Sequence, residues 1–194
     1  MRQMLRLHPA SFCLAVRQIE VDVTRPHVHG LALAYTVTGT IADLAIPPAA
    51  AAAPADELWR HTCLEAFIRG SAGVAYYEFN FSPSTQWAAY RFGGYRSDRR
   101  FAAELSAPRI EVESAPGRYI LRTSLELDEL LLPTGAEAGG RGGSRDMTWH
   151  LGLSAVIEEA SGRQSYWALA HPPGKPDFHH SDCFALDVPE PQQP

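Results

Sequence analysis

Side chains able to do ligand chemistry concentrate in three stretches. The first is Leu58-Trp59-Arg60-His61-Thr62-Cys63-Leu64-Glu65-Ala66-Phe67-Ile68. On an extended chain successive side chains point to opposite faces. Leu64, Ala66 and Ile68 then share an apolar face, and Cys63, Glu65 and Phe67 share the other. A carboxylate in that second row needs a partner or water, because an isolated buried charge is costly. Glu65 either faces solvent or a neighbouring arginine, or is presented to a ligand. The second stretch is Tyr76-Tyr77-Glu78-Phe79-Asn80-Phe81-Ser82-Pro83, followed by Trp87, Tyr90, Phe92 and Tyr95. Tyr77, Phe79 and Phe81 are assigned to the core, which leaves Tyr76, Glu78 and Asn80 as a row of hydrogen-bonding groups. If the two stretches pair, Glu65, Glu78 and Asn80 line one patch. That patch is either a solvated sheet face or a site for a polar ligand. Carboxylates and amides bond sugar hydroxyls, and rings such as Trp59 and Trp87 stack on sugar faces.

The third stretch runs from Tyr166-Trp167 through His171-Pro172-Pro173-Gly174-Lys175-Pro176-Asp177-Phe178-His179-His180 to Cys183. It reads as a strand entering a long proline-braced loop. His179 and His180 are adjacent, so they point apart on an extended chain, and no compact zinc spacing is present. No metal is expected. The loop either closes over a ligand mouth, with Lys175, Asp177 and His179 as contacts, or is purely structural. Nucleophile elbows, phosphate-cradling glycine loops and His-Glu-x-x-His are absent. Glu65 and Glu78 could form an acid/base pair, but spacing in sequence does not fix their separation. The chain therefore reads as a non-catalytic binding domain, with an enzyme using Glu65 or His179 at the mouth as the alternative.

The elements that must position these groups are strands. A period of two dominates. Leu31, Leu33, Tyr35 and Val37 alternate with small or polar residues. Three hairpins are expected: 63–69 with 75–81, 110–113 with 119–127 around Pro116-Gly117, and 149–157 with 165–169. Cys183–Val188 reads as a last strand. About ten short strands predict an all-β chain folded as an antiparallel β-sandwich or jelly roll. Helix is limited to single turns at 56–59 and 128–132. Pro47–Pro54 is a connection, Gly135–Ser144 a glycine-rich loop, and 189–194 a disordered tail. Residues 1–188 are read as one domain.

Bulk properties narrow the partners. Net charge is −5, with no basic run longer than Arg99-Arg100, so nucleic acid is not an expected partner. No window approaches the ~20 apolar residues of a membrane span. Three widely spaced cysteines imply reduced thiols rather than a disulfide framework. The stretch after Arg2 and Arg6 lacks the apolar run of an export signal. A cytoplasmic protein with a small-molecule ligand is the expectation.

These same segments resemble a known group. ELWRHTCLEAFIRG, AYYEFNFSPSTQWAAYRFGGYR and YWALAHPPGKPDFHHSDCFALDV are similar to bacterial DOMON-like proteins related to family 9 carbohydrate-binding modules, over roughly residues 5 to 188. The resemblance implies an immunoglobulin-like or jelly-roll antiparallel β-sandwich and a site for sugar or heme. In the sugar-binding relatives a Trp six residues before a Glu opens the site, and a later Trp completes an aromatic clamp. Trp59 and Glu65 stand at that spacing, and Trp167 matches the later Trp by position. A carbohydrate-like ligand and no cofactor is the leading expectation. Heme-binding relatives use an axial Met with His or Lys. Here that implies Met147 with His150, His171, Lys175 or His179.

Overall fold

A computed structural model describes residues 1–71, 73–127 and 148–191. Among the described residues twelve strands form one continuous antiparallel sheet that folds over on itself. One layer contains β1 (Arg2–Leu7), β2 (Val16–Thr24), β3 (Gly30–Gly39), β9 (Arg118–Glu126) and β8 (Arg109–Ala115), in that spatial order. The other contains β7 (Arg100–Phe101), β6 (Trp87–Phe92), β5 (Tyr76–Phe81), β4 (Cys63–Gly70), β10 (Trp149–Glu158) and β11 (Gln164–Ala168). β1 joins the layers. Its residues Arg2 to Leu5 pair with β2, and Arg6 and Leu7 pair with β11. The last strand, β12 (Leu186–Val188), lies end to end with β11 along the same side of β10.

The sandwich follows from alternation. Ile19, Val21, Val23, Leu31, Leu33, Tyr35 and Leu121 face inward from the first layer. Leu64, Ala66, Ile68, Phe79, Phe81, Leu151 and Leu153 meet them from the second, in one buried cluster. Packing two apolar sheet faces removes both from water, and that area is the main term favouring the fold. A polar link crosses the core: the Tyr35 hydroxyl donates to the backbone carbonyl of Glu65 at 2.6 Å.

The three expected hairpins form, and the one at Pro116-Gly117 closes with Ala115 opposite Arg118. Some expectations need correction. β1, β2 and β6 were not foreseen as strands. In β2 the buried Ile19, Val21 and Val23 alternate, and a bulge between Val16 and Gln18 puts Val16 out of phase with them. The expected strand 183–188 is shorter. Ser181–Cys183 form a 3-10 turn, whose preceding His180 accepts from the Asp182 amide through Nδ1. The short helix near Trp59 is a 3-10 turn at Leu58–Arg60. The helical turn expected at 128–132 and the glycine-rich loop 135–144 lie outside the described residues. Cys13, Cys63 and Cys183 are free thiols. Among the described residues, no helix is long and apolar enough to cross a membrane.

Candidate functional site

The outward face of the second layer is itself covered. From β6 it presents Ala88, Tyr90 and Phe92, and from β5 Tyr76, Glu78 and Asn80. β4 adds Cys63, Glu65 and Phe67, and β10 adds Gly152, Ser154 and Val156. Three loop segments fold over this floor: the 58–60 turn, residues 94–99, and the 170–184 loop. Phe184 packs on Phe67 and Tyr76, closing a second apolar cluster distinct from the main core. Between floor and loops lies a cleft of about 510 Å³, within the span of small-molecule sites.

Two carboxylates stand in the floor. Glu65 is 2% exposed and Glu78 6% exposed, yet both line the cleft. In the β4–β5 register Glu65 faces Asn80 and Glu78 faces Phe67, so the glutamates are diagonal neighbours. Ser154 donates to Glu65 Oε2 at 2.9 Å, and Asn80 Nδ2 donates to Glu78 Oε1 at 2.7 Å. The Cys63 thiol donates to Asn80 Oδ1 at 3.5 Å, which fixes the amide from behind. Burial, and secondly the charge of Glu78, pushes the Glu65 carboxyl up to about 8; the Ser154 bond opposes this. Burial also raises Glu78, against the Asn80 bond and the positive charge of Arg99 and Arg96. At neutral pH the pair is not doubly ionised. It can both donate and accept.

His179 comes down from the 170–184 loop into a cage of rings, with centroids 5.1 Å from Phe67 and 5.0 Å from Phe92. Its Nδ1 is hydrogen-bonded to the Tyr76 hydroxyl at 2.8 Å, and Nε2 lies 3.7 Å from Glu78 Oε2. Burial, and then the charge of Arg96, lowers this imidazole to about 4. The Glu78 contact is therefore between a neutral ring and a carboxyl, not an ion pair.

The rim is cationic but internally matched. Arg96 reaches Asp177 Oδ1 at 2.8 Å, and Asp177 also receives the Tyr95 hydroxyl at 2.6 Å and the His179 amide at 3.2 Å. Burial would raise the Asp177 carboxyl, but the bonds from Tyr95 and Arg96 hold it below the usual range. Arg99 pairs with Asp56 at 3.0 Å and covers the rings of Tyr90 and Trp59 at 4.3 and 5.1 Å. Trp59 meets Tyr90 edge-on at 5.8 Å. Arg60 pairs with Glu57 at 2.7 Å, and its carbonyl accepts from Gln164 at 2.6 Å, tying the 58–60 turn to β11.

The structure brings together Trp59, Glu65, Glu78 and His179 in the cleft lining. Asn80, wholly buried, sits behind the lining and orients Glu78. Asp177 acts from outside the lining, as the brace of Arg96. Three candidates are not brought in. Trp167 lies opposite Ala155 and shares its inward face; it is buried in the main core, where Nε1 donates to Ser165 Oγ at 3.1 Å. It cannot pair with Trp59 across a ligand. Trp87 faces inward opposite Phe81, one residue out of phase with the cleft-facing Ala88 and Tyr90. Lys175 is exposed beside Gly174, at a turn outside the lining. Of the heme ligand set, Met147 lies outside the described residues. His150 is hydrogen-bonded to Asp187 at 2.6 Å, and His171 to the Arg6 carbonyl at 2.8 Å. No group of three or more His, Cys, Asp or Glu among the described residues could hold a metal ion.

Sequence reasoning missed Arg96 and Arg99, and also Phe92, Tyr166 and Phe178 as lining residues. Arg96 and Arg99, two and five residues after Gly94, were the available signal for the rim. Tyr166, one residue before Trp167, was separable from it only by the parity of β11.

With this geometry in hand, comparison with solved structures places the fold. A protein from Bacteroides uniformis ATCC 8492, provisionally assigned as carbohydrate-binding, superposes with a TM-score of 0.60 at 14% identity, covering 94% of this chain and 83% of that one. A family 9 carbohydrate-binding module from Caldicellulosiruptor kristjanssonii, solved with cellotriose, gives 0.51 at 10% identity, covering 90% and 74%. No family model matches the chain, and no curated protein sequence matches it. At these identities the likeness is one of fold: a β-sandwich of the family 9 carbohydrate-binding-module type.

Proposed function

We propose that the cleft binds a carbohydrate, without catalysis, in a single domain spanning residues 1–188. The observation that carries this reading is a floor of two buried glutamates, one held by a serine and one by an asparagine, in a cleft also lined by Trp59, Phe92, Tyr166 and Phe178. A partly protonated carboxyl pair matches hydroxyl groups, each of which donates and accepts. Indole and phenyl faces match the C–H faces of a pyranose. The cellotriose complex of a protein with the same fold supports a sugar, and the sugar-binding side of the DOMON-like resemblance fits better than heme.

Trp59 would stack on the ligand, and Glu65 and Glu78 would bond its hydroxyls. The test is titration calorimetry against hexoses, pentoses and their disaccharides. Wild type binds at least one of them, and Trp59→Ala loses that binding with only a small drop in melting temperature, because Trp59 is half-buried at the margin of the second cluster. Wild-type protein that binds none of the panel overturns the reading.

A further inference from the structure

From the balance of charge in the cleft we infer that its sugar carries a free amine, seated as ammonium between Glu65 and Glu78. This inference rests on the carbohydrate reading and deepens it. The rim arginines are each already matched: Arg60 with Glu57, Arg96 with Asp177, and Arg99 with Asp56. The floor carboxylates are not. Among the described residues, neither has a cation within ion-pair distance except His179, which is neutral above about 4.

The donors that the floor does receive are neutral: a serine hydroxyl and an asparagine amide. Glu65 Oε2 takes the Ser154 bond, and Oε1 has no donor among the described residues, although the side chain is 2% exposed and lines the cleft. That oxygen belongs to the cleft lining and is not sealed in the floor, so a ligand donor can reach it. Phe67 and Phe92 line the same cleft, and aromatic faces attract a cation in a desolvated site.

An ammonium has three donors and one positive charge. It satisfies Glu65 Oε1 and replaces the proton that keeps two neighbouring carboxylates together. A hydroxyl at the same place supplies one donor and leaves the second carboxyl protonated. Binding the amine therefore expels a proton. The other ionisable groups facing the pair do not compete for this role. Burial holds the Cys63 thiol and the Tyr76 phenol protonated, the latter up to about 12. Burial likewise holds the Tyr90 phenol protonated, and its hydroxyl is spent on Asp56.

The experiment is titration calorimetry of the purified chain at pH 7 with glucosamine, galactosamine and mannosamine. Their parent hexoses, their N-acetyl forms and ethanolamine are the controls. One hexosamine binds at least about tenfold more tightly than its parent hexose and its N-acetyl form, since charge-assisted bonds are about twice as strong as neutral ones. Repeating the titration in buffers of different protonation heat shows release of up to about one proton per hexosamine and none for the hexose.

Glu65→Gln and Glu78→Gln are isosteric, and each abolishes the preference for the amine and the proton release. The wild-type comparison stands even if a variant fails to fold. Hexoses that bind as tightly as their amines overturn this inference and leave the carbohydrate reading intact. Ethanolamine binding with no sugar bound, or no binding at all, overturns both.

Discussion

Replacing Glu65 by glutamine should make the protein more stable at alkaline pH while changing little at acid pH. Glu65 titrates at about 8 in the fold against an ordinary 4.5, chiefly through burial. A group whose native value is raised binds more protons folded than unfolded. Stability is then fully present below 4.5 and is lost as pH rises through about 8. At about 1.4 kcal/mol per pH unit the full span amounts to about 5 kcal/mol, less whatever water entering the open side of the cleft relieves. Glutamine keeps an acceptor for Ser154 and carries no charge, so the variant escapes this loss. The assay is urea or thermal unfolding of both proteins at pH 5 and at pH 8.5. Wild type should melt markedly lower at the higher pH. Glu65→Gln should close most of that gap, worth about 6–12 °C if about 3 kcal/mol is recovered in a domain of this size. Parallel curves for the two proteins across the range would refute the placement of a buried, uncompensated carboxyl at the cleft floor.

Other perturbations follow from neighbouring parts of the fold. Trp167→Ala should cost about 3–5 kcal/mol of stability by opening a cavity in the main core, yet leave sugar affinity of the folded fraction unchanged; melting and calorimetry together check this. Gly152→Ala places a methyl 3.0 Å from the Cys183 carbonyl and 3.4 Å from Phe67 Cβ. It should lower the melting point by the equivalent of about 1–3 kcal/mol and weaken ligand binding, as the loop carrying His179 is pushed off the floor. Glu159 accepts from the Leu14 and Ala15 amides at 2.8 and 2.9 Å, and those bonds hold its carboxyl below the usual range. Its contribution is present above the ordinary glutamate range and lost as pH falls, opposite in sign to Glu65. Glu159→Ala should therefore destabilise by about 1–3 kcal/mol near neutrality and less near pH 3, read by denaturant midpoints.

The alternation in β4 and β5 was enough to separate Leu64, Ile68, Phe79 and Phe81 from Glu65, Glu78 and Asn80. Side-chain parity on a strand is local, and it survives into the sandwich unchanged. Whether the second face is solvated or covered is not local. Its cover comes from residues 94–99 and 170–184, which reach the floor only after β6 and β11 have taken their places in the sheet. The same non-locality explains Trp167. Its type and position suggested a stacking ring, but its direction is set by standing opposite Ala155, and a one-residue offset exchanges it with Tyr166. β2 was missed although Ile19, Val21 and Val23 alternate in it, and its bulge puts only Val16 out of phase.

The position of β10 bears on how the chain is made. β10 joins β4 to β11 and β12, yet it begins only at Trp149. During synthesis the first layer can pair within itself once Glu126 has emerged, whereas the inward face of β4, β5 and β6 has no completed sheet until β10 arrives. For that interval Leu64, Ile68, Phe79 and Phe81 sit in a half-built sheet whose β4 edge lacks its neighbour, a state in which exposed apolar strands find other chains. The cleft is completed later still, because His179 and Phe184 follow β11. A nascent chain halted before this point carries both glutamates but not the roof above them.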